Sequence, residues 1–186
     1  MKDEQKPTYH GCPVVIRTIE VGGDSKEQLL QKLQQKEILI NPFGEQLLAD
    51  EKFTVSTQPY SVTTVELKVS DLGFPEGATI PVVYSKAEQL GLKLCLPELG
   101  PYLRMQYLDQ PEGSIGKPVR KNRSPYGAIT IASKKLSEDA DFPRGFYLRK
   151  IEGKLWLRAY IADDLHVLDP EDHLIFCQNE TLSETY

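Results

Sequence analysis

Hydrophobic and polar positions alternate most regularly in two runs near the C-terminal end of the chain, 145–151 and 154–161. The Glu-Gly dipeptide at 152–153 that separates them is typical of a two-residue hairpin turn. This turn fixes the register of the two strands, so that Leu148 faces Leu157. One side of the predicted hairpin is apolar and belongs to the core: Phe146, Leu148, Leu155, Leu157, Ala159 and Ile161.

Three other segments repeat apolar residues at helical spacing and carry helix-start or helix-stop signals. Ser25 and Gln28 form a capping box that begins the first helix. Asn41 and Pro42 are the N-cap and first residue of a short second helix. A third helix is predicted over 80–90, where the following glycine ends it. The first two helices give a helix-turn-helix outline, but the second is acidic, so packing explains it better than DNA recognition.

Further short strands are predicted from β-branched or alternating runs at 13–21, 61–69, 92–96, 103–108, 128–132 and 173–177. The mixture predicts an α+β fold, with a mostly antiparallel sheet of short strands and about three short helices. We expect a single globular domain over 13–178 and flexible termini at 1–12 and 179–186. Whether 13–70 forms an N-terminal subdomain is left open.

The composition is that of a globular protein with an ordinary core. The 186 residues are 40% hydrophobic and 26% charged, with a mean hydropathy of −0.38. No apolar run is long enough to span a membrane, and the first residues lack a signal peptide's apolar stretch. We therefore expect a cytoplasmic protein without membrane association. The formal net charge of −5 disfavours nucleic-acid binding unless a basic patch supplies it.

Motifs for phosphate binding or nucleophilic catalysis are missing from the sequence. The nearest approach to a Walker A loop is the segment around Gly116-Lys117. When these two residues are aligned with the Gly-Lys of the motif, Pro111 falls at the first glycine position and Pro118 at the hydroxyl position. ATP hydrolysis by a P-loop is therefore excluded. Neither Gly-x-Ser-x-Gly nor Gly-x-Gly-x-x-Gly occurs. No catalytic residue is assigned.

Cysteines and histidines give little sign of a reactive or metal-binding site. The three cysteines are far apart and form no CxxC pair, which predicts no disulfide framework and a reducing compartment. Cys95 lies in an apolar run, where burial favours an inert thiol. The one cluster of ligand-type residues is His166, Asp169, Asp172 and His173. Because Pro170 interrupts it and Asp169 suits a capping role, no metal and no cofactor is predicted.

The other side of the predicted hairpin interleaves aromatic rings with guanidinium groups. Its residues are Tyr147, Arg149, Ile151, Trp156, Arg158 and Tyr160. Such a surface can stack on a planar ligand and pair with a carboxylate or phosphate group. The same residues also make cross-strand pairs worth roughly 0.2–1 kcal/mol each without any ligand. Ligand binding and sheet reinforcement therefore remain alternatives for this surface.

The one basic stretch lies in the glycine- and proline-rich loop 113–127. Its candidate nucleic-acid-binding residues are Lys117, Arg120, Lys121 and Arg123. They extend a nucleic-acid site if the loop lies on the same side as the aromatic and arginine residues of the hairpin. A solvated loop with no ligand is the alternative.

A resemblance rests on three segments: DLGF at 71–74, GAT at 77–79, and LGLKLCLPELGPYLRMQYLDQP at 90–111. Over about residues 25–177, the chain resembles a family of small bacterial proteins with no established activity, some of which carry a helicase label. The resemblance implies that RMQYLDQ at 104–110 is a family hallmark. Its candidate ligand-binding residues are Arg104, Gln106, Asp109 and Gln110. The same groups can instead tie a loop to the sheet by hydrogen bonds.

Three functional hypotheses follow. The first is a non-enzymatic binding or interaction module for a protein partner or a small ligand. The second is a nucleic-acid-associated protein that uses the hairpin and the basic loop, whose binding would depend steeply on salt. The third is a hydrolase-like enzyme with a polar site near Arg104, Asp109 and the segment 166–173.

Overall fold

A computed structural model describes residues 9–113 and 124–178 of the chain. Within these ranges the fold contains four α-helices and ten β-strands. The helices are α1 (Lys26–Gln35), α2 (Pro42–Ala49), α3 (Ile80–Gln89) and α4 (Leu99–Gln106). None of these helices has the length and apolar character needed to cross a membrane.

The strands form one large sheet and one small one. They are β1 (Val15–Val21), β2 (Leu39–Ile40), β3 (Tyr60–Lys68), β4 (Ala78–Thr79), β5 (Leu92–Lys93), β6 (Ile129–Ile131), β7 (Gly145–Ile151), β8 (Lys154–Tyr160), β9 (Val167–Leu168) and β10 (His173–Gln178). The large, eight-stranded sheet has the order β1-β3-β10-β6-β7-β8-β2, with β5 paired to β10, and β4 pairs with β9.

The α+β class and the largely antiparallel pairing are confirmed. The sheet is nevertheless mixed, because β10 pairs parallel to β6 and β2 pairs parallel to β8. Local patterns do not determine such pairings, since they depend on how distant strands are placed beside each other. The described residues also contain one helix more than the sequence predicts.

The predicted hairpin and helix caps are confirmed. Leu148 pairs with Leu157, as the register required. Glu152 and Gly153 both have positive φ angles, 51° and 75°, as a type I′ turn needs. Both halves of the Ser25 capping box form, and Asn41 Oδ1 accepts a hydrogen bond from Gly44 N at 2.9 Å.

The prediction of a strand over 103–108 is wrong, because these residues belong mostly to α4. Residues 99–105 are all buried, so the helix has no polar face to reveal its period. Six residues of apolar and polar alternation could not distinguish a strand from a buried helix. Pro101 is tolerated because it lies in the first turn, where its missing N–H group has no helical partner.

The two faces of the large sheet are covered to different extents. On one face, α1, α2 and α4 pack over the whole sheet and bury a core that includes Leu29, Leu47, Leu103 and Leu157. On the other face, α3 and the turn at 69–72 cover β3 and β10 through residues such as Val83 and Phe176. Residues 13–70 supply strands and helices to the same sheet and core as the C-terminal strands.

Candidate functional site

The hairpin turns its aromatic and arginine residues away from the apolar core, as predicted. We call this surface the hairpin face: Tyr147, Arg149, Trp156, Arg158 and Tyr160. All five side chains are partly exposed, whereas their neighbours along the strands, such as Leu148 and Leu157, are fully buried. Alternation along β7 and β8 therefore places every residue of the hairpin face on one side of the sheet.

Arg158 lies at the centre of the hairpin face, between two aromatic rings. Its guanidinium carbon is 4.9 Å from the centre of the Trp156 ring and 5.9 Å from that of Tyr147. Its Nε also donates a hydrogen bond to Tyr147 Oη at 2.9 Å. Tyr147 in turn makes an edge contact with Tyr160, with 6.2 Å between the ring centres. These contacts hold Arg158 in place before any ligand is bound.

The two arginines give the hairpin face a positive charge that no described carboxylate balances. Among the described residues, neither Arg149 nor Arg158 forms an ion pair with a carboxylate. Burial lowers the pKa of Arg149, and the nearby charge of Arg158 lowers it further against the opposing effect of Tyr147. The Nε of Arg149 is buried and has no hydrogen-bond partner among the described residues. The hairpin face is therefore a positively charged patch on a protein whose formal net charge is −5.

A cavity of about 270 Å³ adjoins the hairpin face. It is lined by Ser124, Pro125, Thr130, Tyr147, Tyr160, Ile161, Ala162, His166 and Leu168. Its volume is near the lower end of the range for small-molecule sites, roughly 300–1,000 Å³. The basic residues predicted for nucleic-acid binding, Lys117, Arg120, Lys121 and Arg123, lie outside the described residues.

Arg104 and Gln110, two of the predicted ligand-binding residues, lie in the interior. Arg104 Nη1 donates hydrogen bonds to Gln110 Oε1 at 2.6 Å and to the carbonyl oxygens of Arg149 and Trp156. Its Nη2 donates to the carbonyl oxygen of Tyr107. Burial lowers the pKa of Arg104 to about 10. The network ties α4 to the hairpin, which is the structural role that the sequence analysis favoured over ligand binding.

Gln110 completes this network, while the other two hallmark residues lie at the surface. Gln110 Nε2 donates to the carbonyl oxygens of Gly127 and Leu148 at 2.9 and 3.0 Å. Gln106 is exposed and exchanges two hydrogen bonds with the backbone of Glu20 in β1. Asp109 is also exposed. The four hallmark residues therefore do not converge on one site.

A second polar cluster, which the sequence did not predict, lies on the face of the sheet that packs against α1, α2 and α4, which we call the covered face. The carboxylate of Glu66 accepts a hydrogen bond from Arg17 Nη1 at 2.6 Å, and its other oxygen is 3.0 Å from His173 Nδ1. The guanidinium carbon of Arg17 lies 4.0 Å from the centre of the Tyr107 ring. Burial raises the pKa of Glu66, but hydrogen bonds from His173 and Arg17 outweigh it, so the pKa is lowered.

These residues line a cavity of about 330 Å³ at the end of α4. Arg17, Glu66 and His173 come from β1, β3 and β10, which are neighbours in the sheet. Only the strand order brings them together, so no local sequence signal could have shown it. Glu66 itself stood out only as a polar position within the alternation of β3.

The predicted cluster of His166, Asp169, Asp172 and His173 is divided between the two faces of the sheet. His166 lines the cavity beside the hairpin face, whereas His173 lines the cavity on the covered face. Asp169 Oδ1 and Asp172 Oδ2 accept hydrogen bonds from backbone N–H groups of the intervening turn. The described residues hold no group of three metal-ligating side chains.

No protein-family model, curated protein or solved structure matches the chain. The two polar surfaces differ in their balance of charge. In the cluster on the covered face, Glu66 neutralises the arginine it contacts. On the hairpin face, two arginines and three aromatic rings lie together with no carboxylate partner among the described residues.

Proposed function

We propose that this protein is a non-enzymatic binding module whose hairpin face binds an anionic ligand that carries a planar ring. One observation carries the proposal: Arg149 and Arg158 are diagonal neighbours on the hairpin, each opposite an aromatic residue, and neither has a carboxylate partner among the described residues. The rings supply stacking surfaces, and the guanidinium groups supply paired donors for a carboxylate or phosphate.

Sheet reinforcement explains only part of this arrangement. The pairs Tyr147–Arg158 and Arg149–Trp156 are directly opposite each other and favourable. Arg149 and Arg158, however, are diagonal neighbours of like charge, and the repulsion between them opposes stability. A sheet surface selected for stability alone would pair one of these cations with a carboxylate. A bound anion would remove the repulsion, so the cost of the bare surface supports a binding role.

The experiment uses the only tryptophan in the chain, Trp156, which lies in the hairpin face. Its fluorescence is followed during titration with three probes: a nucleoside monophosphate, a single-stranded DNA oligonucleotide and an acidic peptide that contains tyrosine. We expect saturable quenching by at least one probe. Arg149→Ala and Arg158→Ala should each weaken its binding by about 10–100-fold, because each removes a charged hydrogen bond worth about 1.5–3 kcal/mol.

The matched control is Lys52→Ala, which removes an exposed cation distant in sequence from the hairpin. Its affinity should equal that of the unaltered protein. Absence of quenching by all three probes, or equal binding in the arginine variants and the control, would refute the proposal.

The three probes also distinguish the class of ligand. Binding to the oligonucleotide alone, with an affinity that falls steeply between about 50 and 200 mM salt, indicates nucleic acid. Quenching by the mononucleotide indicates a small ligand, and quenching by the peptide alone indicates a protein partner.

Acid–base chemistry at His173 is a second candidate function, in which the protein is a hydrolase-like enzyme. The contact of Glu66 with His173 Nδ1 favours it, because a carboxylate partner orients an imidazole and leaves Nε2 for proton transfer. The test is hydrolysis of p-nitrophenyl acetate and p-nitrophenyl phosphate. Activity that is lost in His173→Gln but kept in His166→Gln supports this function, and equal rates in both variants refute it.

A further inference from the structure

Two of the three cysteines meet at the end of β10, although 82 positions separate them in the chain. The sulfur atoms of Cys95 and Cys177 are 3.1 Å apart. A disulfide bond has a sulfur–sulfur distance of about 2.05 Å, so the two free thiols are in contact but are not bonded. The two thiols, which are far apart in the sequence, are therefore in contact in the fold.

Hydrogen bonds of the sheet hold both cysteines in place. Cys177 lies in β10, where it is paired with Thr64 of β3 and Lys93 of β5. Cys95 lies two residues after the end of β5, and its backbone N donates a hydrogen bond to the carbonyl oxygen of Ala132 at 2.7 Å. The contact between the two sulfur atoms is thus a fixed feature of the fold.

The two thiols differ in access, as an attacking and a resolving cysteine do. Cys177 is partly exposed, whereas Cys95 is buried. The hydrogen bond from the Cys95 thiol lowers the pKa of Cys177 against the effect of burial, and the charge of Lys93 lowers it further. Burial raises the pKa of Cys95. The accessible thiol is therefore the better nucleophile of the two.

We infer that Cys95 and Cys177 form a redox-active pair that exchanges with low-molecular-weight disulfides such as oxidised glutathione. The Cys177 thiolate attacks one sulfur of glutathione disulfide, which forms a mixed disulfide and expels one glutathione thiolate. The Cys95 sulfur, after losing its proton, then attacks the Cys177 sulfur and expels the second glutathione. Two electrons pass from the cysteines to the oxidant, and the two protons end on the released thiols.

The test uses the full chain with Cys12→Ser, which leaves only this pair of thiols. The protein is incubated with mixtures of oxidised and reduced glutathione, and the remaining thiols are alkylated. The masses of the products are then measured by mass spectrometry. We expect a product lighter by two hydrogen atoms that carries no glutathione. After tryptic digestion, the peptides 94–104 and 159–186 should be joined by a disulfide.

Two further variants show the order of attack. Adding Cys95→Ala should stop the reaction at a stable glutathione adduct on Cys177. Adding Cys177→Ala should leave a thiol that resists both glutathione and alkylation in the folded protein. Thermal unfolding of each variant, followed by Trp156 fluorescence, confirms that the variants are folded.

The disulfide should also stabilise the protein. It closes a loop of 82 positions, and we expect it to raise the melting temperature by about 5–15 °C relative to the reduced form. A stable glutathione adduct in the protein that retains both cysteines would overturn the inference. So would two thiols that remain reduced in excess oxidised glutathione.

Discussion

The two sides of the β7–β8 hairpin use the same strands for different purposes. One side packs Leu148 and Leu157, both 0% exposed, against the helices of the covered face. The other side presents the hairpin face, where Arg149 and Arg158 are each opposite an aromatic residue but have no carboxylate partner among the described residues. Burial of apolar surface explains the first side completely. The second side carries two arginine charges that no carboxylate balances among the described residues, and for this reason we propose it as the binding surface.

The arginines on the covered face differ from those of the hairpin face, because their Nη atoms have hydrogen-bond acceptors among the described residues. Arg104 is buried and donates hydrogen bonds to four oxygen atoms, two of which belong to the backbone of the hairpin. Arg17 donates to the carboxylate of Glu66. Both guanidinium groups on the covered face thus have oxygen acceptors for their Nη atoms, although the buried Nε of Arg104, like that of Arg149, has no partner among the described residues.

The largest effect on stability is expected for Arg104→Met. Methionine fills much of the volume, but it leaves the carbonyl oxygens of Arg149, Trp156 and Tyr107 without their donor. We expect the free energy of unfolding to fall by about 3–5 kcal/mol, because several buried acceptors lose hydrogen bonds worth about 1–3 kcal/mol each. Urea unfolding measures the change. A loss below about 1 kcal/mol would show that α4 is not tied to the hairpin through this side chain.

Leu157→Ala tests the apolar side of the hairpin directly. The leucine is fully buried beneath α2 and α4. The substitution should lower the free energy of unfolding by about 2–5 kcal/mol, through lost burial and the cavity left behind. The same urea titration measures it, and binding at the hairpin face should be retained under conditions in which the variant is folded.

Glu66→Gln tests the paired charges on the covered face through their pH dependence. The pKa of Glu66 is lower in the folded protein than in the unfolded chain. Its contribution to stability is therefore present above the unfolded pKa and is lost as the pH falls through the folded pKa. We expect the variant to be less stable by about 1–2 kcal/mol at neutral pH. The difference should shrink towards zero in acid.

Glu171→Gln is the matched control for this pH profile. Glu171 forms an exposed ion pair with Lys68, and exposed pairs contribute little to stability. Urea unfolding from neutral to acidic pH compares the two variants with the unaltered protein. A stability difference for Glu66→Gln that stays constant over this range would contradict the assigned pKa direction.

The smallest effect on stability is expected for Arg158→Ala. Its ring contacts and its hydrogen bond to Tyr147 are partly exposed, so the loss should be below about 1 kcal/mol. The substitution also removes the repulsion between Arg149 and Arg158, and this makes the decrease in the free energy of unfolding smaller. Urea unfolding checks the value beside that of Leu157→Ala, one position away. Equal losses in the two variants would erase the distinction between the two sides.

Features that depend on nearby residues could be predicted from the sequence. The hairpin register follows from alternation and a two-residue turn, and the starts of α1 and α2 follow from their capping residues. Helix α4 could not be predicted, because it is buried on every side and lacks a polar face. The grouping of Glu66 with Arg17 and His173 also stayed hidden, since it depends on β3 lying between β1 and β10.

The same distinction between nearby and distant residues applies to the candidate site. Alternation alone places Arg149 and Arg158 on one face with Trp156. What the sequence could not show is the balance of charge around them, because partners distant in the chain could have neutralised either arginine. The meeting of Cys95 with Cys177 was hidden for the same reason, since it requires β5 to pair with the end of β10.

The most direct test of the binding function is the affinity of the Arg149→Ala, Arg158→Ala double variant for the probe that quenches Trp156 most strongly. Its free energy of unfolding is measured in the same buffer. We expect binding to be abolished or weakened by more than about 100-fold, while stability changes by less than about 1 kcal/mol. Retained affinity would contradict the account, because the two arginines would then be no more than part of the sheet.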